Sequence, residues 1–147
     1  MNIALFSGSF DPFTIGHADI VKRFLPLFDK IVIGVGYNEH KPSAMLTPDE
    51  RVQQIAAIYK DEPKVEVEKY SDLTVDFVSR VGARYIIKGV RSTKDFEYER
   101  EQAEINKLLA PEIETIVLFA SSEKAAISSS MVRELKHFGK DISEFLP

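Results

Sequence analysis

The 147-residue chain predicts an α/β fold: one doubly wound domain spanning residues 1–147, with a five-stranded parallel sheet and helices on both faces. Three observations carry that prediction. Short apolar, β-rich runs alternate with segments of helical periodicity, and this alternation requires a parallel sheet with right-handed crossovers. Hydrophobic residues make up 44% of the chain, enough at this length to fill a core. The unusual polar residues follow the strands rather than precede them, which is the side on which open parallel sheets bind ligands.

The first strand, Ile3–Phe6, runs into a Gly/Ser/Pro-rich turn that delivers Thr14-Ile15-Gly16-His17 to the mouth of a helix over about 17–27. Pro26 should kink or end that helix. The second strand is Lys30–Val35. Thr47-Pro48-Asp49-Glu50 then combines an N-cap, a proline at the first helical position and a capping-box glutamate. Val52, Ile55, Ala56 and Tyr59 give the helix over 48–60 one apolar face. Strand three is Val65–Glu68, followed by a helix over 73–81 that Gly82 stops. Strand four is Tyr85–Lys88, followed by a charge-rich helix over 95–109. Strand five, Thr115–Phe119, leads to Ile127-Ser128-Ser129-Ser130, which opens a last helix over 129–138 that ends at Gly139. Strand-helix alternation with right-handed crossovers makes the expected domain Rossmann-like.

Each strand is predicted to hand over to a polar loop: Ser7–His17, Asn38–Lys41, Tyr70–Asp72, Lys88–Arg91 and Ser121–Ser130. All five should ring one crevice rich in phosphate-binding groups. A helix N-terminus has free N–H groups and about half a positive charge, so it attracts phosphate. His17 at such a terminus sits in a field that disfavours the imidazolium, leaving a neutral ring able to donate a hydrogen bond to a phosphate oxygen. Gly8 and Gly16 should let backbone approach a ligand, with Pro12 stiffening the turn.

Composition narrows the function. Nineteen basic against 23 acidic residues give a net charge of −4, which argues against nucleic acid as a partner. No cysteine is available as a nucleophile, disulfide or metal ligand. No apolar run approaches the ~20 residues of a membrane span, and no basic-then-apolar leader precedes the first strand. The expectation is a cytoplasmic protein without membrane contact. A G-x-G-x-x-G fingerprint is missing, which excludes the usual nicotinamide dehydrogenase pattern.

Thr14-x-Gly16-His17, with its Gly8-Ser9-Phe10-Asp11-Pro12 lead-in, resembles the T/H-x-G-H signature of the nucleotidyltransferases. Over nearly the whole chain the resemblance is to the bacterial phosphopantetheine adenylyltransferase family. It includes Thr47-x-x-Glu50-Arg51, Ser71-Asp72-Leu73, Gly89-x-Arg91, Asp95-Phe96-Glu97-Tyr98-Glu99, Asn106 and Ile127-Ser128-Ser129-Ser130. The resemblance implies adenylate transfer from ATP to 4′-phosphopantetheine, giving dephospho-coenzyme A and pyrophosphate, by direct attack of the acceptor phosphate and without a covalent intermediate.

The roles it implies are these. His17 stabilises the transition state, assisted by Lys41 and Arg91. ATP is bound by Ser9, Phe10, His17, Gly89, Val90, Arg91, Glu99, the loop Lys124-Ala125-Ala126-Ile127 and the serines 128–130. The acceptor is bound by Ser9, Lys41, Leu73, Thr74 and Lys88. Lys88 stands where many members have Arg, and Lys124-Ala125-Ala126 departs from their aromatic-containing loop. Leu73 reads equally well as core; Met45, Leu46 and Leu109 read as core, and His40 and His137 as exposed. Mg²⁺ is expected to arrive with ATP, with no protein side chain as ligand. A homohexamer, a dimer of trimers, and feedback inhibition by coenzyme A are implied too. The competing readings are an adenylyltransferase for another phosphorylated acceptor, such as nicotinamide mononucleotide, and a non-catalytic nucleotide sensor.

Overall fold

Five parallel strands form one sheet in the order β3-β2-β1-β4-β5, in a computed structural model that describes Met1–Pro147. The strands are β1 (Ile3–Gly8), β2 (Lys30–Gly36), β3 (Val65–Tyr70), β4 (Tyr85–Val90) and β5 (Glu114–Phe119). The helices are α1 (Ile15–Phe24), α2 (Pro48–Ile58), α3 (Thr74–Arg80), α4 (Thr93–Leu109) and α5 (Ser129–His137). Single 3-10 turns lie at Leu25–Leu27, Ser122–Lys124 and Ser143–Phe145. Pro26 sits in the first of these turns, so α1 ends rather than kinks.

Alternation along the central strands builds two cores. Ala4, Phe6, Ile31, Ile33, Val35 and Ile87 point to one face, where Ile20, Val21 and Phe24 of α1 and Ile55 of α2 cover them. Leu5, Val32 and Ile86 point to the other, where Val75, Phe77 and Val78 of α3 close the layer. No helix is long and apolar enough to cross a membrane.

Four of the five strands run past their predicted C-terminal ends, because the neighbouring strand continues the ladder. Ser7 and Gly8 pair with Gly34 and Val35, and Lys88, Gly89 and Val90 pair with Val117, Leu118 and Phe119. Lys88-Gly89-Val90 is therefore strand, not loop, and Arg91 is the first residue beyond it. Val90 is buried in the sheet, so its side chain is not open to a ligand.

Gly34 shows how closely α3 seats. A Cβ there would lie 2.7 Å from the Phe77 ring and 2.8 Å from a Leu5 methyl. A Gly34→Ala variant is expected to lose about 1–3 kcal/mol of stability by overpacking, measured as a lower urea midpoint with an unchanged m value. Gly82 and Gly139, at φ +74° and +80°, end α3 and α5 as predicted.

Candidate active site

At the switch point between β1 and β4, where strand order reverses, the carboxyl ends of β1, β4 and β5 open into a cavity of about 370 Å³. Its first wall is the β1–α1 turn. Phe10 adopts φ +50°, Asp11-Pro12 is a cis peptide, and the Phe10 ring lies against Gly8. A Cβ on Gly8 would stand 2.9 Å from that ring, so this glycine makes room for Phe10. Gly89 also lines the cavity, and its added Cβ would meet Ile20 at 2.7 Å, so its missing side chain serves the packing of α1.

Thr14 is the buried N-cap of α1 and shares a capping box with His17. The usual partner at that third helical position is Glu or Gln; here an imidazole takes the role. Thr14 N–H donates to His17 Nδ1 at 2.9 Å. Since Nδ1 is the acceptor, the ring proton resides on Nε2, and the ring lines the cavity. Phe6, Phe10 and Phe13 surround the imidazole at centroid distances of 6.4, 5.0 and 5.2 Å. Burial among these rings, and next the positive charges of Arg91 and Lys88, lower the His17 pKa to about 4. The expected neutral ring is present, held so by desolvation and the nearby cations.

Two helix N-termini converge here, α1 through Thr14 and Gly16 and α5 through Ser128–Ser130. Ser128 caps α5 by accepting from Met131 N–H at 3.1 Å, and Ser129 Oγ donates to the Pro12 carbonyl at 2.7 Å. The first-turn amides of Ser129 and Ser130 keep the free N–H groups that every helix start exposes. The walls carry four cations, Lys88, Arg91, Lys124 and Arg133, against two carboxylates, Asp95 and Glu99. The cavity is thus positive in a chain of net charge −4.

Two of these cations are held by α4. Lys88 Nζ lies 3.2 Å from Glu99 and donates to the Ser7 carbonyl at 3.0 Å, while Arg91 pairs with Asp95 at 3.2 Å. Glu99 is therefore more than a solvated helix face. Lys124 reaches only its neighbour Glu123.

Ser9, exposed at the turn, lines this cavity and a second one beside it. Lys41 lines only the second, which is formed by the 36–44 loop after β2, and it makes no ion pair. The β3 end contributes to neither, so the prediction of one crevice ringed by five loops is corrected to three loops around one cavity and a fourth beside it. The reason is strand order: β3 lies at the far edge, two strands from β1. Leu73 and Thr74 accordingly lie outside both cavities. Leu73 is 61% exposed, which overturns its core reading, and Thr74 Oγ1 is hydrogen-bonded to Tyr70 Oη at 3.0 Å. Leu109 is exposed as well and is not core. Ala125 and Ala126 do not line the cavity, whereas Lys124 and Ile127 on either side do, because a 3-10 turn carries the alanines away. His40 and His137 are exposed, as expected. Nowhere do three or more His, Asp or Glu side chains converge in a way that could hold a metal ion.

Sequence reasoning missed the support beneath this site. Asp11, 3% exposed, accepts from the amides of Met45 and Leu46 at 3.0 and 2.7 Å and faces Arg51, itself 5% exposed, at 3.7 Å. Arg51 donates to the carbonyls of Leu46 and Ser9 and to Ser43 Oγ. Arg133 donates to the Asp11 carbonyl at 2.8 Å. The signal was available only as the Asp of Gly-Ser-Phe-Asp-Pro and the Arg of Thr-x-x-Glu-Arg, two motif residues with no role assigned.

Known proteins place this geometry in context. The cytidylyltransferase-like family matches residues 5–135. Phosphopantetheine adenylyltransferase of Bacteroides fragilis is 50% identical over 147 residues, covering 100% of this chain and 97% of that protein. The enzyme of the same name from Leuconostoc citreum is 50% identical over 148 residues, covering 100% and 92%. Among solved structures, a bifunctional NMN adenylyltransferase/ADP ribose pyrophosphatase from Francisella tularensis superposes with a TM-score of 0.76 at 17% identity. That match covers 99% of this chain but only 44% of the Francisella protein, and it is a likeness of fold.

Proposed function

The chain belongs to the phosphopantetheine adenylyltransferases, within the cytidylyltransferase-like family, and from that premise we propose how its cavity moves adenylate from ATP to 4′-phosphopantetheine. The observation that carries the mechanism is the neutral His17, its proton fixed on Nε2 at the junction of two helix N-termini. Such a ring donates to a non-bridging oxygen of the ATP α-phosphate and stabilises the charge that builds there as the bond order changes.

The acceptor's phosphate is already anionic at neutral pH, so no general base is needed. One of its oxygens bonds to the α-phosphorus; the bond from that phosphorus to the β-phosphate bridging oxygen breaks, and pyrophosphate leaves with the electron pair. Arg91 and the amides of Ser129 and Ser130 bind the departing β- and γ-phosphates. Ser9, Lys41 and Lys88 bind the acceptor phosphate, Leu73 and Thr74 its pantetheine arm, and Glu99, Phe10 and the 124–127 loop the adenosine side. In the structure Asp95 is taken up by Arg91 and Glu99 by Lys88. A Mg²⁺ accompanying ATP would be held by phosphates and water rather than by these carboxylates, and would supply charge neutralisation.

The finer properties follow the same reading. The chain works in the cytoplasm and assembles as a homohexamer, a dimer of trimers. In support, Phe96, Tyr98, Ile105, Leu108 and Leu109 leave an apolar stretch of α4 uncovered. Coenzyme A, which carries both an adenosine and a pantetheine arm, acts as feedback inhibitor.

The test is pyrophosphate release with ATP and Mg²⁺, comparing 4′-phosphopantetheine with nicotinamide mononucleotide. Release with the pantetheine compound alone is expected. Release with the mononucleotide alone would move the enzyme to another acceptor, and release with neither, despite ATP binding, would leave a nucleotide sensor.

A further inference from the structure

Among the cations around the two cavities, Arg133 and Lys41 are without a carboxylate partner, and of these two Arg133 alone lines the cavity that holds His17. Lys88, Arg91, Lys124 and Arg51 each have a carboxylate within ion-pair distance. Arg133 has none. Its half-buried guanidinium is fixed by two neutral contacts, to the Asp11 carbonyl at 2.8 Å and to Ser130 Oγ at 3.3 Å. A guanidinium has five N–H donors, so three are left for a ligand. Position adds the second point: Arg133 and Ser9 are the two residues that line both the cavity holding His17 and the cavity holding Lys41.

An uncompensated charge, held rigidly by groups that do not neutralise it, is arranged for an anion. Because both cavities share this wall, that anion is one that must be positioned relative to a ligand in each. We propose that Arg133 is a phosphate-contacting residue of the transfer reaction. It grips the phosphate groups where the acceptor and the triphosphate are pressed together, and offsets their mutual repulsion while they are aligned. This inference rests on the adenylyl-transfer reading above. Arg133 also ties the first turn of α5 to the β1–α1 turn, so a purely structural role must be separated from phosphate contact.

Two variants do so. Arg133→Met keeps the apolar stem and removes the charge; Arg133→Lys keeps the charge and loses the fork. The wild-type enzyme and both variants are compared by pyrophosphate release, by thermal melting, and by calorimetric titration with inorganic pyrophosphate. Expected for Arg133→Met is a fall in kcat/KM of about 10–100-fold, the range of one charge-assisted hydrogen bond, with pyrophosphate binding weakened about 10-fold. Arg133→Lys should recover most of both losses, and the melting temperatures of the two variants should agree within a few degrees. Wild-type kcat/KM in Arg133→Met would overturn the proposal. So would equal losses in both variants that track a common drop in melting temperature, the signature of a structural strut. If the wild type releases no pyrophosphate but Arg133→Met still weakens pyrophosphate binding, the transfer reading fails and the anion site stands.

Discussion

Replacing His17 with alanine should lower kcat for pyrophosphate release by about 10²–10³-fold, the cost of deleting one preorganised donor to a developing oxyanion. ATP binding should change far less, because the amides of α5 and the Arg91 side chain remain in the cavity. The variant should fold, losing about 1 kcal/mol with the capping box. The pH dependence is equally specific. With a pKa near 4 in the native protein, His17 stays neutral through the range where a free histidine titrates. The kcat profile of the wild type should therefore show no limb near pH 6.5 from this residue. Stability should show one. The unfolded chain takes up a proton at His17 as pH falls through 6.5, and the folded chain does so only near 4, so stability is complete above 6.5 and is lost progressively between those values. The loss is on the order of 3 kcal/mol over that window. A His17→Gln variant, whose side chain does not titrate, should lose that slope in a urea series across pH. A wild-type kcat in His17→Ala would remove the imidazole from the mechanism.

Asp11→Ala should be the most destabilising single change near the site, at about 3–5 kcal/mol. It strands the Arg51 guanidinium, 5% exposed, without its counter-charge, and it orphans the amides of Met45 and Leu46. Losing one partner of a buried pair costs far more than replacing both, because the survivor keeps its desolvation penalty. The companion measurement is thus Asp11→Ala with Arg51→Met: the double variant should be more stable than Asp11→Ala alone, giving a coupling energy of opposite sign to the single losses. Strict additivity in denaturant unfolding would mean that the 3.7 Å pair is not an energetic unit.

What the sequence could reveal here is what acts over short range. The strands alternate by twos and the caps act over three residues, so β1–β5, Thr47 as N-cap and the two glycine helix stops were all legible. His17 was legible because its motif, its helix start and its strand lie within fifteen residues. The strand ends were not, since Lys88 and Gly89 are held in the sheet by Val117 and Leu118, almost thirty residues away. Nor were Arg51 and Arg133 legible. Each lies inside a helix where a charge usually means a solvated face, and their contacts cross 42 and 122 positions to the β1–α1 turn. Gly8 is legible as a site of close approach, yet the group that a Cβ there would meet is Phe10. Spacing reports that room is needed, while identifying the visitor takes the third dimension.

The strand order has a consequence for how the enzyme comes off the ribosome. β1 lies between β2 and β4, and Leu5 aligns with Val32 on one side and with Ile86, 81 residues later, on the other. A nascent chain can zip β1, β2 and β3 together with α1 and α2 as it emerges, since every one of those pairings joins neighbours in synthesis. The half it makes that way has His17 in place and an unpaired β1 edge where the nucleotide cavity will be. β4, β5 and the first turn of α5 dock on that side in the order they emerge, and the cavity is complete only when residues past Ser130 have cleared the exit tunnel. The capacity to hold a triphosphate therefore arrives last. Until β4 docks, the newly made half exposes an apolar strand edge, an interval in which chaperones matter more than substrate.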